Sequence, residues 1–131
     1  MASKAVMDAV KSLLADIWSG TPVYWPNGQN GRPPLDGSEF LAVQFPLAEE
    51  AGTPTPLETG GVRFVYSVPS GAGTDEYMAK VDTLRAALRG RSHQGVLFQA
   101  PAPPTMLDGE DDNGSYFLIS FAIPYRLYMP D

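Results

Sequence analysis

Apolar residues recur at helical spacing over residues 4–19. Val6, Val10, Leu13 and Ile17 define a stripe that Ala9, Leu14 and Trp18 widen. Asp8 and Lys11 fall off it, as a solvated face requires. Ser3 stands where a helix cap belongs and Gly20 where a helix stops. A second helical pattern opens after Thr74, a capping residue followed by Asp75 and Glu76, where the helix dipole favours anions. Its stripe is Tyr77, Val81, Leu84 and Leu88, and its end is Gly90. Glu76 and Lys80 are spaced to form an ion pair on its surface.

Elsewhere the period drops to two. Within 39–45, Leu41, Val43 and Phe45 alternate with Phe40, Ala42 and Gln44. Within 61–68, Val62, Phe64, Tyr66 and Val68 share a face. The longest such pattern, 115–129, puts Phe117, Ile119, Phe121, Ile123, Tyr125 and Leu127 on one side. Residues 23–25 and 96–100 read as short strands. Pro124 has no backbone donor, which predicts a sheet edge or a bulge at that point. The intervening segments 27–37, 46–60, 69–73 and 101–114 carry the glycines and prolines and read as turns and long loops. The predicted order is α-β-β-β-α-β-β in one domain, 1–131. Its simplest packing is an α+β fold with two helices on one face of a mainly antiparallel sheet.

The sheet face away from the helices then collects Phe40, Ala42 and Gln44, then Arg63, Val65 and Ser67, then Tyr116, Leu118, Ser120 and Ala122. A solvated sheet face normally reads as Lys, Glu, Thr and Arg. Mixed apolar and small polar residues are typical of a surface that meets another protein. Composition points the same way. Charged residues are 18% of the 131 positions, below the usual quarter, while 44% apolar residues suffice for one core.

The absence of cysteine excludes disulfides and thiolate chemistry. No apolar run is long enough for a membrane helix, and the N-terminal Met-Ala-Ser-Lys lacks the apolar core of a secretion signal; the lack of cysteine fits a cytosolic origin. A net charge of −6, with nine scattered Lys and Arg, argues against a DNA-binding module, which needs clustered cations.

The chemical motifs are weak. The turn Gly71-Ala72-Gly73 precedes a helix, but Glu76 stands where a dinucleotide fingerprint needs glycine, and Asp75 and Glu76 would repel phosphate. The acidic run 108–114 contains Asp111 and Asp112 but has Asn113 and Ile119 where a helix-loop-helix calcium site needs Gly and Glu. A looser oxygen cage there, metal-binding or enzymatic, is the rival reading. His93, the one histidine, reads as an exposed loop residue. Arg85, Arg89 and Arg91 form a small basic edge that complements the second helix dipole, or a salt-bridging contact for a neighbouring subunit. No catalytic residue, cofactor or metal site is expected.

The chain does resemble a known family. It opens with the helix containing Ala5-Val6-Met7-Asp8-Ala9-Val10, followed by Val23-Tyr24-Trp25. Next comes Phe40-Leu41-Ala42-Val43-Gln44-Phe45-Pro46, then Gly61-Val62-Arg63-Phe64-Val65-Tyr66-Ser67-Val68 running into the glycine turn. The second helix carries Leu84-Arg85-Ala86-Ala87-Leu88, and the chain closes on Gly114-Ser115-Tyr116-Phe117 through Ile123-Pro124-Tyr125-Arg126. In element order, length and texture it is similar to the tail-terminator, or tail-completion, proteins of long-tailed bacteriophages and gene transfer agents.

That resemblance implies a virion protein forming a homohexameric ring at the head-proximal end of the tail tube. The ring would contact the tube protein and the head-completion protein, and DNA would pass through without specific binding. Another neck or head-tail connector protein is the neighbouring alternative. The expected protomer or partner contacts are Phe40, Gln44, Glu49, Glu50, Arg63, Val65, Arg85, Arg89, Asp111, Asp112, Tyr116 and Leu118. The loops 46–60 and 101–114 are expected to reach the tube, the head-completion protein or the lumen. Acidic walls would discourage DNA from sticking, because they release no phosphate counterions.

Overall fold

A computed structural model describes residues 3–26, 38–51, 57–69, 71, 73–108 and 116–128. The elements run α1 (Lys4–Ile17), β1 (Val23–Tyr24), β2 (Phe40–Ala51), β3 (Leu57–Pro69), α2 (Asp75–Leu88), β4 (Ser92–His93), β5 (Val96–Phe98), β6 (Thr105–Asp108) and β7 (Tyr116–Tyr128). They build one sheet in the order β1-β2-β3-β7-β5-β4, with β6 also paired to β7. All pairings are antiparallel except β1 with β2.

Both helical stripes bury against one sheet face, in the expected α+β arrangement. Val6, Ala9, Val10, Leu13 and Leu14 from α1 and Val81, Leu84 and Leu88 from α2 join one apolar cluster. The sheet supplies Leu41, Val43, Val62, Phe64, Tyr66, Val68, Ile119, Phe121, Ile123 and Tyr125. These are the period-two faces of β2, β3 and β7, so the alternation is a direct readout of which side meets the helices. Burying each such aliphatic or aromatic side chain contributes about 1.5–3 kcal/mol.

Strand enters both of the long loops expected at 46–60 and 101–114, most of the first and residues 105–108 of the second. β2 continues to Ala51 and β3 begins at Leu57, so the two run on as a long antiparallel arm at the side of the sheet, whose β3 strand stays laddered to β7 as far as Leu57. The ladder register jumps between Gln44 and Leu47, which sets Phe45 and Pro46 opposite Val62. That is a β-bulge, and a bulge tolerates proline because the ladder is already interrupted there. Proline was the reason to stop the strand in the sequence; tertiary pairing carries it through. In the second loop, Thr105–Asp108 pairs with residues 117–120 of β7 as β6.

Pro124 lies in neither an edge strand nor a bulge. Its strand, β7, has β3 on one side and β5 and β6 on the other. Gln99 N–H donates to the Pro124 carbonyl at 2.9 Å, and proline has no N–H to return. The Gln99 carbonyl accepts from Gly90 N–H instead, at 3.4 Å. The missing donor therefore falls where the β5 ladder ends.

His93 is likewise not a loop residue. It is half-buried in β4, and its Nε2 sits 3.0 Å from the Ser12 hydroxyl of α1. The β4–β5 turn is Gln94-Gly95, with φ of 51° and 84°. Two left-handed residues in succession suit a two-residue hairpin, but glutamine is a poor occupant of the first position. Gln94→Asn is expected to raise stability by about 0.5–1 kcal/mol. A lowered melting temperature would show that the Gln94 side chain contributes more than its backbone costs.

The caps differ from expectation. Neither Ser3 nor Thr74 makes a side-chain cap hydrogen bond. The Ser3 N–H instead donates to the Glu58 carboxylate at 3.2 Å. Glu76 and Lys80 do not pair; Lys80 donates to the Thr21 hydroxyl at 2.6 Å and lies 4.7 Å over the Trp18 ring. An exposed i,i+4 ion pair is worth only tenths of a kcal/mol, about 0.3–0.5, so a partly desolvated aromatic face competes with it easily.

Candidate interaction surface

The sheet face opposite the helices is set by β2, β3, β7 and β5, and strand register fixes its rows. Phe40 pairs with Ser67, and Ser67 with Leu118. Ala42, Val65 and Ser120 form the next row, and Gln44, Arg63 and Ala122 the one after. Beyond the bulge, Glu49, Thr59, Arg126, Leu97 and Ser92 fall in line. No helix covers this face among the described residues.

Its two ends differ. At one end an aromatic ladder crosses the strands: Tyr24 meets Phe40 edge-on at 5.5 Å, and Phe40 meets Tyr116 at 5.4 Å. The small side chain of Ser67 leaves room for the second contact. The chain's own fold buries Phe40 to 8% exposure and Tyr116 to 5%, so these two expected contact residues are not on open surface. Val65 and Leu118 are half-buried, while Gln44 and Arg63 are exposed. The other end is open. Leu97 is 39% exposed and Tyr128 58%, with the exposed Arg126 between them in the rows.

The remaining expected contacts are dispersed. Glu49 and Glu50 are exposed on the β2–β3 arm. Arg85 is turned inward: its Nε donates to the Ala102 carbonyl at 3.1 Å, and its guanidinium lies 3.5 Å from Asp82. Arg89 is exposed just past α2. Asp111 and Asp112 lie outside the described residues.

Leu97, Arg126 and Tyr128 were not among the contacts expected from the sequence. The signal was present. Extending the alternation of β7 past Ala122 puts Pro124, Arg126 and Tyr128 on the same side as Tyr116 and Leu118.

Chemistry elsewhere in the molecule is slight. Among the described residues no three of His, Cys, Asp or Glu converge to hold a metal. Glu39 accepts from the Tyr66 hydroxyl, and burial, then Glu39, push the Tyr66 phenol up. Glu58 accepts from the Tyr125 hydroxyl at 2.6 Å. Burial alone would raise the Glu58 carboxyl, but bonds from Ser3 and Tyr125 outweigh it and hold it below the usual range. These groups are consumed by internal bonds.

Two apolar pockets flank α1. One, of about 310 Å³, is lined by Met7, Pro26, Gln44, Phe45 and Pro46. The other, of about 260 Å³, holds Lys11 and Trp25, with the Lys11 ammonium 5.5 Å over the Trp25 ring. Neither gathers the acid, base and nucleophile that a reaction needs.

The fold thus defines the class: an α+β protein with two helices on one face of a mainly antiparallel sheet. No family model and no curated protein matches this chain. A solved structure whose name describes no activity shares the fold, with a TM-score of 0.60 at 18% identity over 100% of this chain and 99% of that one. The similarity is one of fold alone.

Proposed function

We propose that this chain is a structural virion subunit, a tail-terminator-like protein. It forms a ring on the head-proximal end of a tail tube and presents a surface to the head-completion protein. The observation that carries the reading is the helix-free sheet face. The chain's own side chains close it only at one end, among the described residues, and at its open end it exposes Leu97 and Tyr128 beside Arg126. Tyrosine and arginine around an apolar centre are the composition of a protein contact. The family resemblance in the sequence supplies the kind of partner.

In this reading the protein acts by binding alone, without catalytic residues or a cofactor, and DNA passes its acidic surface unretained. The decisive experiment is electron microscopy of tails assembled without this chain. Overlong tubes are expected, because nothing stops subunit addition. Headless tails of normal length would instead identify a neck connector. Calcium is expected to leave the melting temperature unchanged. A shift abolished by Asp111→Asn with Asp112→Asn would move the function to the acidic run.

A further inference from the structure

We propose that copies of this chain associate head to tail, with the acidic β2–β3 arm of one copy seated on the basic corner of the next. The proposal rests on the reading of a ring-forming subunit and deepens it by naming the two mating surfaces.

The arm is the first surface. β1 pairs only with Leu41 and Ala42, so from Val43 to Ala51 the outer edge of β2 has no ladder partner among the described residues. An unpaired edge is a template for association unless it is protected. This one carries Glu49 and Glu50 in succession, projecting to opposite faces of the edge, both exposed and neither in an ion pair among the described residues.

The corner is the second surface. It lies where α2 leads into β4, at the opposite side of the sheet. Arg89 and Arg91 are exposed there, with the exposed Arg126 two strands inward on β7, and none of the three pairs with a carboxylate among the described residues. Two of the three large apolar side chains exposed in the described structure lie on this side of the arm, Leu97 on β5 and Tyr128 at the end of β7. Leu97 pairs directly with Arg126, and Tyr128 is two residues further along β7.

The occupant follows from charge. A protein of net charge −6 repels its own copies in general, so self-association needs local complementarity. The arm and the corner provide it with opposite signs on opposite edges. An isologous contact would set arm against arm, placing four glutamates together at a cost. Opposite signs at the two ends favour a heterologous contact, which closes into a ring when its rotation allows. The apolar pair at the corner gives the contact a dehydrated centre, around which the charges act as rim.

The chain has no cysteine, so engineered pairs report cleanly. A variant carrying both Glu50→Cys and Arg91→Cys, oxidised in the purified state, is expected to give a covalent ladder from dimer upward. Either cysteine alone is expected to give none. A dimer from Glu50→Cys alone would mean that arms pair with each other and would overturn the proposal.

In sedimentation at low salt, Glu49→Lys with Glu50→Lys should weaken association at least tenfold, as should Arg89→Glu with Arg91→Glu. An equimolar mixture of the two variants should restore it, because each reversed edge then meets its complement. Unchanged association in both variants overturns the edge assignment while leaving the ring reading intact. A wild-type chain that stays monomeric overturns the proposal, and tube length then judges the terminator reading by itself.

Discussion

Phe64→Ala is expected to lower the unfolding free energy by about 3–5 kcal/mol. Phe64 is 1% exposed in the central strand β3 and stacks on Phe121 of β7 at 5.1 Å, with the ring planes 24° apart. The pair belongs to the close-packed cluster that both helices join, where neighbouring side chains collapse only partly into the space left behind. The cost therefore combines lost burial with a cavity. For a domain of this size the melting temperature should fall by on the order of 10 °C or more. Urea unfolding checks the value. A loss below about 1 kcal/mol would mean that the helices do not seal this side of the sheet.

Glu58→Ala should cost about 1–3 kcal/mol, because it strands the Tyr125 hydroxyl. Tyr125 is fully buried, and Glu58 is its hydrogen-bond partner at 2.6 Å. The same carboxylate ties down the start of α1 through Ser3 N–H, so the loss spreads to the helix entrance. The pH dependence has a definite sign. The folded Glu58 carboxyl is held below its ordinary value of 4.5. Its contribution is complete above that value and is lost as pH falls through the lower folded one. Glu58→Gln should therefore flatten the acid limb of stability against pH. Tyr125 behaves in the mirror sense at the alkaline end. Burial, then Glu58, raise it above its ordinary value of 10.0. Its neutral form adds stability that is complete below that pH and disappears as pH rises through the folded value. An acid limb unchanged by Glu58→Gln would show that this carboxylate is not the coupled group.

The candidate surface was legible in part. Gln44, Arg63, Val65 and Leu118 fall on the helix-free face because strand alternation has a strict period of two, and the sequence displays that period over 39–45, 61–68 and 115–129. The same logic places Phe40 and Tyr116 on that face but says nothing of their exposure. Their burial comes from ring contacts between β1, β2 and β7, residues far apart in the chain. Arg85 shows a different limit. A guanidinium near a helix end reads as solvent-facing, yet a carbonyl 17 residues away captures it.

What the sequence by itself determined is the class of element at each strongly periodic stretch and the side of each that faces the core. Helical stripes at Val6–Leu14 and Tyr77–Leu88 and the alternation around Phe64 and Ile119 admit one burial pattern each, because apolar area must leave water. Tertiary structure decided the rest. It extended β2 through Pro46 by a bulge, recruited Thr105–Asp108 as β6, and placed Pro124 in an interior strand with its missing donor made good from Gly90. It also set an acidic arm and a basic corner on opposite edges of one sheet. These outcomes depend on which backbone groups find partners across the sheet, and that pairing is non-local: local composition around a proline reports the donor it lacks, not the neighbour that compensates.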